Sequence, residues 1–324
     1  MPFYQGYAPG MPGIGPTSYS RGRQIWAGLA GIQYLPVGGV IASALSRDPD
    51  NYEYAKNYGN ETEPETPPTS ADLSNIPALP GGLGQTAPTV AAGASPYAGI
   101  LRAGLLMGRI TTTPTVVLDG TTSAAYKGCF RPSILGVTTA TMANSATSVT
   151  VSAQCYLEVA RLYAMGITTF KVIGCQSGTL GTLVSGDIVL STPFLTPGTL
   201  TLTFSASTNS PTQTIAAGAF VCPADGSQYP VSFVDEQFGL NILDNFGAGL
   251  TTGGPSGAAI SVAPFPRVPL AGGMVNVLNI VNYPASTMLA QIAWLKGNLN
   301  SGGGIGLVAT NYGGKFNFTD DYGL

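Results

Sequence analysis

The chain has 324 residues, 44% of them hydrophobic, which is enough for a sizeable core in one large domain or two ordinary ones. It carries 44 glycines and 25 prolines against 9% charged residues and no histidine. That balance disfavours long surface helices, which need charged side chains on the solvent face, and it excludes histidine-based triads and most metal centres.

In chain order, residues 1–96 hold 13 of the 25 prolines and show no sustained helical or alternating pattern. Proline removes backbone donors and fixes φ, so this segment is expected to be an extended arm running along other surfaces. Asn60 to Pro68, rich in acids and prolines, reads as a solvated linker. Within the arm, Ile25 to Leu45 (IWAGLAGIQYLPVGGVIASAL) is too apolar to remain in water. Its covering surface belongs either to the same chain or to a neighbouring subunit, and we expect an anchor on a neighbour. The candidate contact residues there are Ile25, Trp26, Leu29, Ile32, Tyr34, Leu35, Val40 and Ile41. Asp48-Pro49-Asp50 opens like a calcium loop but lacks the required glycine and terminal glutamate, so it reads as a turn.

From Tyr97 the pattern becomes short strands at 100–101, 105–111, 115–118 and 133–138, broken by Pro114, Asp119-Gly120 and Pro132. Ser148 to Ser152 alternates β-formers. Gln154 to Met165 then sets Cys155, Val159, Leu162 and Tyr163 at helical spacing, with Glu158 and Arg161 expected on the wet side and Gly166 as the stop. A strand resumes at 168–173, and turn-separated strands fill 178–205. This defines a first β-domain, 97–205, with a crossing helix near 154–165.

Residues 206–324 are expected to form a second β-rich domain. Ile215 to Val234 holds strands around the Asp225-Gly226 turn. Pro264, Pro266 and Pro269 argue against a long central strand there. Met274 to Val281 reads as a strand. Ser286 is placed to cap a helix running to Lys296, with Met288, Leu289, Ile292 and Leu295 buried and Gly297 ending it. The aromatic tail, with Tyr312, Phe316, Phe318 and Tyr322, suits docking on another surface, and Phe316, Phe318 and Tyr322 join the candidate subunit contacts. The fold class is therefore mainly β: an extended N-terminal arm, then two β-rich domains with one or two short helices.

Little in the chain carries chemistry. Cys129, Cys155, Cys175 and Cys222 lack CxxC spacing and read as buried free thiols. No GxSxG elbow, GxxxxGK[ST] loop or GxGxxG fingerprint is present, and Gly313-Gly314-Lys315-Phe316 falls short of a phosphate loop. A glycosidase-like carboxylate pair would have to come from Asp119, Asp187, Asp225, Asp235, Glu236, Asp244, Asp320 and Asp321, and no spacing brings two of them together. We expect no enzyme, no cofactor and no metal. At a net charge of −3, with Arg21, Arg23, Arg102, Arg109, Lys127 and Arg131 scattered, no nucleic-acid partner is expected. The best apolar run, Ile25 to Ile32, is too short to span a membrane, and MPFYQGYAPGMPGIGP lacks the basic and apolar regions of a secretory signal, so synthesis in a cytoplasm is expected.

Leu101-Arg102-Ala103-Gly104, Gly108-Arg109-Ile110-Thr111, Asp119-Gly120 and Ile134-Leu135-Gly136-Val137 together resemble the core of lambda-type bacteriophage head-decoration proteins. The resemblance covers residues 97–140. It implies a non-enzymatic capsid decoration, or cement, protein on the surface of a virion. The partners it implies are the major capsid protein and further copies of the chain, often as a trimer. A chain with so few charges leaves neutral or apolar surface, which agrees with assembly. Other phage structural roles (major capsid, tail or fibre component) remain alternatives, as does an exported surface-layer or carbohydrate-active protein.

Overall fold

The computed structural model describes residues 25–28, 32–48, 100–112, 116–117, 123–124, 126–164, 166–191, 200–205, 213–236, 239–242, 251–253, 259–301 and 316–319. Three short strands come first: β1 (Trp26–Gly28), β2 (Gln33–Tyr34) and β3 (Gly39–Ala42). The next group is β4 (Ile100–Leu101), β5 (Leu106–Arg109), β6 (Val116–Val117), β7 (Ser123–Ala124), β8 (Phe130–Pro132), β9 (Gly136–Val137) and β10 (Ser148–Thr150). Helix α1 (Ala153–Ala164) precedes the hairpin of β11 (Thr169–Gln176) and β12 (Thr179–Val189). The chain continues through β13 (Thr201–Thr203), β14 (Phe220–Pro223), β15 (Pro230–Phe233), β16 (Leu240–Asn241), β17 (Thr251–Gly253), β18 (Ala259–Phe265), β19 (Pro269–Ala271) and β20 (Met274–Asn276). Helix α2 (Leu289–Ser301) and strand β21 (Asn317–Thr319) close the described chain. The protein is mainly β, as its composition implies.

Two sheets organise it. One has six strands in the order β15-β5-β8-β3-β18-β17, and the other has four in the order β12-β11-β14-β9. A three-stranded sheet, β1-β20-β21, adds a parallel pair between β20 and β21. Strand pairing crosses both expected domain boundaries. The six-stranded sheet takes β3 from the proline-rich first segment, β5 and β8 from the second and β15, β17 and β18 from the third. The four-stranded sheet joins β14 to β9 and β11. The described part of the first segment is thus a set of sheet strands. Prolines mark where a chain cannot donate, but they do not reveal which distant strand the intervening residues pair with.

Three apolar clusters fill the interior. The first lies under α1 and includes Cys155, Tyr156, Val159, Leu162, Phe170, Ile188 and Val221. The second lies on the six-stranded sheet, with Ile41, Met107, Phe130, Val231 and Phe265. The third joins Trp26, Ile173, Phe220, Phe233, Leu295, Leu299 and Phe316. Gly104 permits one of the tight joins. Its φ is +82°, and a Cβ there would run into the Asn279 carbonyl, so an L side chain is excluded twice over.

Several local expectations are corrected. Glu158 is buried, not on the wet side. At 100° per residue, the buried positions of α1 span from Glu158 through Leu162, Cys155 and Val159 to Tyr156 and Ala160, more than half the helix circumference. Helix α2 starts three residues after Ser286 and runs through Gly297, whose missing side chain faces open space. Its buried stripe is Gln291, Leu295 and Leu299, at i, i+4 and i+8, while Leu289 is 64% exposed. Met274 to Val281 is not one strand: it turns into a short 3-10 segment at Val277–Asn279, where the Asn276 side chain accepts from the Leu278 amide. Finally, β18 is a seven-residue strand inside the six-stranded sheet despite Pro264. Among the described residues β17 pairs with Ala259 to Ser261, and the partner opposite Pro264 and Phe265 is β3.

Candidate functional site

The candidate contact residues separate into two groups. Ile25, Trp26, Ile41 and Phe316 are buried in this chain's own clusters, and Ile32, Leu35 and Phe318 pack partly buried against them. Tyr34 is half-buried, and Leu29 and Tyr322 lie outside the described residues. For Ile25, Trp26, Ile41 and Phe316 the cover lies within this chain, where the expectation was an anchor on a neighbour. Trp26 and Phe316 enter a ring cluster, with Trp26 5.2 Å from Phe233 and 6.1 Å from Phe316 and Phe233 5.5 Å from Phe316, whereas Ile41 packs in the cluster on the six-stranded sheet. Of the candidates, Val40 is exposed. Sequence reading missed the other exposed apolar side chains: Val37, Leu180, Tyr229, Met274, Leu278 and Leu289. They stand singly in the sequence and form no pattern that marks them.

Trp26 and Tyr34 converge on a buried carboxylate. The Trp26 indole N–H donates to Asp235 Oδ1, and the Tyr34 hydroxyl donates to Oδ2 at 2.6 Å. Arg267 Nη2 lies 3.0 Å from the same Oδ2 and donates to the Tyr34 oxygen at 2.6 Å, while its guanidinium stacks 4.9 Å from the Tyr34 ring centre. Burial raises the Asp235 carboxyl above its ordinary value, against the opposing pull of the Tyr34 and Trp26 hydrogen bonds and the Arg267 charge. Burial and then the Asp235 hydrogen bond push the Tyr34 phenol up to about 12. Each carboxylate oxygen already has a donor, so the group clasps β1 and β2 to the chain near β15 and β19.

A second buried node sits beneath the Asp225-Gly226 turn. Arg131, fully buried on β8, pairs with Asp225 Oδ2 at 3.0 Å. Asp225 Oδ1 accepts from the Ser227 amide at 3.0 Å and the Ser227 hydroxyl at 2.5 Å, and the Asp225 carbonyl accepts from the Thr111 and Thr112 amides. Asp48 is not a metal ligand in a described cluster. Its carboxylate pairs with Arg102 Nε at 2.8 Å and accepts from the Arg102 amide. Asp187 on β12 pairs with Lys171 on β11. Sequence reading took these residues as turn formers or scattered charges. The Asp-Gly turn was visible, whereas its arginine 94 positions away was not.

All four cysteines are buried free thiols. Burial raises Cys129, Cys155 and Cys222, which keeps them in the unreactive protonated form. Among the described residues no group of three or more Cys, Asp or Glu side chains is placed to hold a metal ion, and no helix is long and apolar enough to cross a membrane. Of the eight acids considered for a carboxylate pair, Asp187, Asp225 and Asp235 are each engaged by a base, Glu236 is part-buried and acts on the Arg267 charge, and Asp119, Asp244, Asp320 and Asp321 lie outside the described residues.

Fold and side-chain arrangement together define a mainly β protein in which three described arginines, Arg102, Arg131 and Arg267, pair with acids far from them in sequence. Comparison with protein-family models, with curated proteins and with solved structures found no match.

Proposed function

We propose that the chain is a non-enzymatic structural protein of a virion, a capsid decoration or cement protein that stabilises a phage head through contacts with the major capsid protein and with further copies of itself. The observation that carries this reading is the disposition of charge. Arg102, Arg131, Lys171 and Arg267 each pair with an acid of the same chain, while Val37, Val40, Met274, Leu278 and Leu289 stand in solvent. Charges matched within the chain and apolar side chains exposed beside them support a surface used for association. The small-residue and turn pattern of residues 97–140 supports it from the sequence side. Decoration involves no chemical step: each copy adds buried area between capsomers, and many weak contacts act together.

The test is the composition of purified particles. The expected result is this chain on the outer shell in a copy number comparable with that of the major capsid protein. Its absence from particles, or its recovery as an exported cellular product, overturns the reading.

A further inference from the structure

Residues 25–48 lie on the rest of the protein in the way a bound peptide would. β1, β2 and β3 do not pair with one another; they pair antiparallel, in turn, with β20, β19 and β18. Trp26 stands opposite Val275, Gln33 opposite Ala271 and Ile41 opposite Ala263, so one stretch of chain, 262–276, carries all three strands as an antiparallel ribbon. β3 also pairs in parallel with β8 and fills the slot between β8 and β18 in the six-stranded sheet. Side chains repeat the pattern: Trp26 and Tyr34 donate to Asp235, and Asp48 pairs with Arg102. This is strand addition, in which main-chain ladders hold a segment and side-chain ties fix its place.

All of these partners lie on the far side of residues 49–99 in the sequence. None of the contacts therefore depends on which chain the arm comes from. The described chain leaves off at Asp48 and resumes at Ile100, with 51 residues between them. A connection of that length spans at most roughly 170 Å, several times the breadth of a domain of this size, so it does not confine the arm to its own body.

We propose that two copies exchange residues 25–48 about a two-fold axis, each arm completing the six-stranded sheet of the other copy. The occupant is a second copy because its arm is the one other segment that carries this ribbon and these ties. Each seat meets the same residues whether the arm is its own or a neighbour's, so concentration decides. A tethered arm meets its own seat at an effective concentration on the order of 1 mM, which leaves the dilute chain closed and favours exchange where copies are held side by side. The inference stands apart from the virion reading, because it is tested on the purified chain alone.

Cysteine pairing reports whose arm is seated. Val40, 44% exposed, and Pro264 face each other in the regular β3–β18 register. The full chain carrying Val40→Cys with Pro264→Cys is refolded under reductant at a series of concentrations and oxidised once folded. The four native thiols are buried and stay out of the reaction. On a denaturing gel without reductant, a closed molecule runs as one chain and an exchanged pair as two. The share of linked pairs is expected to rise about sixfold between about 0.05 and about 1 mM chain, while refolded wild type sediments increasingly as dimer over the same range. Val40→Cys chains refolded together with Pro264→Cys chains link only by exchange, above the level of either variant alone. Single-chain links at every concentration overturn the inference. So does a wild type that stays monomeric throughout, or a dimer whose folded, mixed single variants do not link. Closed chain that still enters particles sinks this inference and leaves the proposed function standing; exchanged chains never found in particles do the reverse.

Discussion

Replacing Asp225 with alanine removes the acid beneath a fully buried guanidinium, and the structure sets the scale of the effect. The Arg131 side chain has no exposure and the Asp225 side chain 8%, so neither solvent nor salt relieves the charge left behind. Breaking such a pair by deleting one partner costs about 3–5 kcal/mol, most of it the uncompensated buried charge. The same substitution leaves the Ser227 amide and hydroxyl, both donors, without the Asp225 oxygen that accepts from them, at about 1 kcal/mol each. The sum, about 5–7 kcal/mol, is of the order of a typical domain's whole stability, so Asp225→Ala is expected to shift the urea midpoint strongly or to prevent folding. The double variant Arg131→Met with Asp225→Ala separates the causes. With no charge to bury, it recovers a large share of the loss, and the two substitutions are non-additive by about 2 kcal/mol or more. Additive single effects, or a loss below about 1 kcal/mol for Asp225→Ala, refute the claim that the pair ties β8 to the 225–228 turn.

Other consequences follow from the same geometry. Because burial raises the Asp235 carboxyl above its ordinary 3.8, the native state holds that proton more tightly than the unfolded chain. Its stabilising contribution is therefore full below pH 3.8 and declines as pH rises through the folded value. The stability advantage of wild type over Asp235→Asn should shrink over that interval in melts from acid to neutral pH, and an advantage that grows with pH contradicts burial as the dominant influence. Tyr34→Phe removes a hydroxyl that donates to Asp235 and accepts from Arg267, with an expected loss of about 1–2 kcal/mol; ultraviolet titration of the wild type should show one tyrosine ionising near pH 12 that the variant lacks. The four thiols should resist an alkylating reagent at neutral pH in the folded chain and react together once it is unfolded, so rapid labelling of the native protein contradicts their burial. Gly104→Ala forces a side chain into a positive-φ position against the Asn279 carbonyl, and calorimetry should register a loss of about 1–3 kcal/mol.

What could be read in advance was local. The turn residues and two-residue alternation around 100–111, 133–138 and 169–189 announce strands because each strand writes its own period into its own residues. α1 was legible in the same way, to within a residue at each end, while the width of its buried arc was not, because helical spacing tells which residues share a face and not how much of the circumference is covered, and Glu158 is buried. α2 was misplaced because Ser286 looks like a helix start and Gly297 like a stop, although the helix is held by Leu295 and Leu299 packing beside Trp26 and Phe316. Residues 25–48 were the hardest. Their prolines and glycines describe the stretches around them, and nothing local names β8, β18 and β20 as the strands that receive β3 and β1.

The sparse charges show why composition misled at one point and led correctly at another. Arg102, Arg131 and Arg267 look scattered because each matches an acid far along the chain, so their spacing carries no motif. Trp26 and Tyr34 reach Asp235 across 209 and 201 positions. Arg102, Arg131, Lys171 and Arg267, four of the 13 lysines and arginines, are committed in this way, while Lys127 stands exposed. Distance along the chain hides each arginine's pairing, whereas the low charge count needs no knowledge of partners to disfavour long solvent-facing helices, and the fold is mainly β.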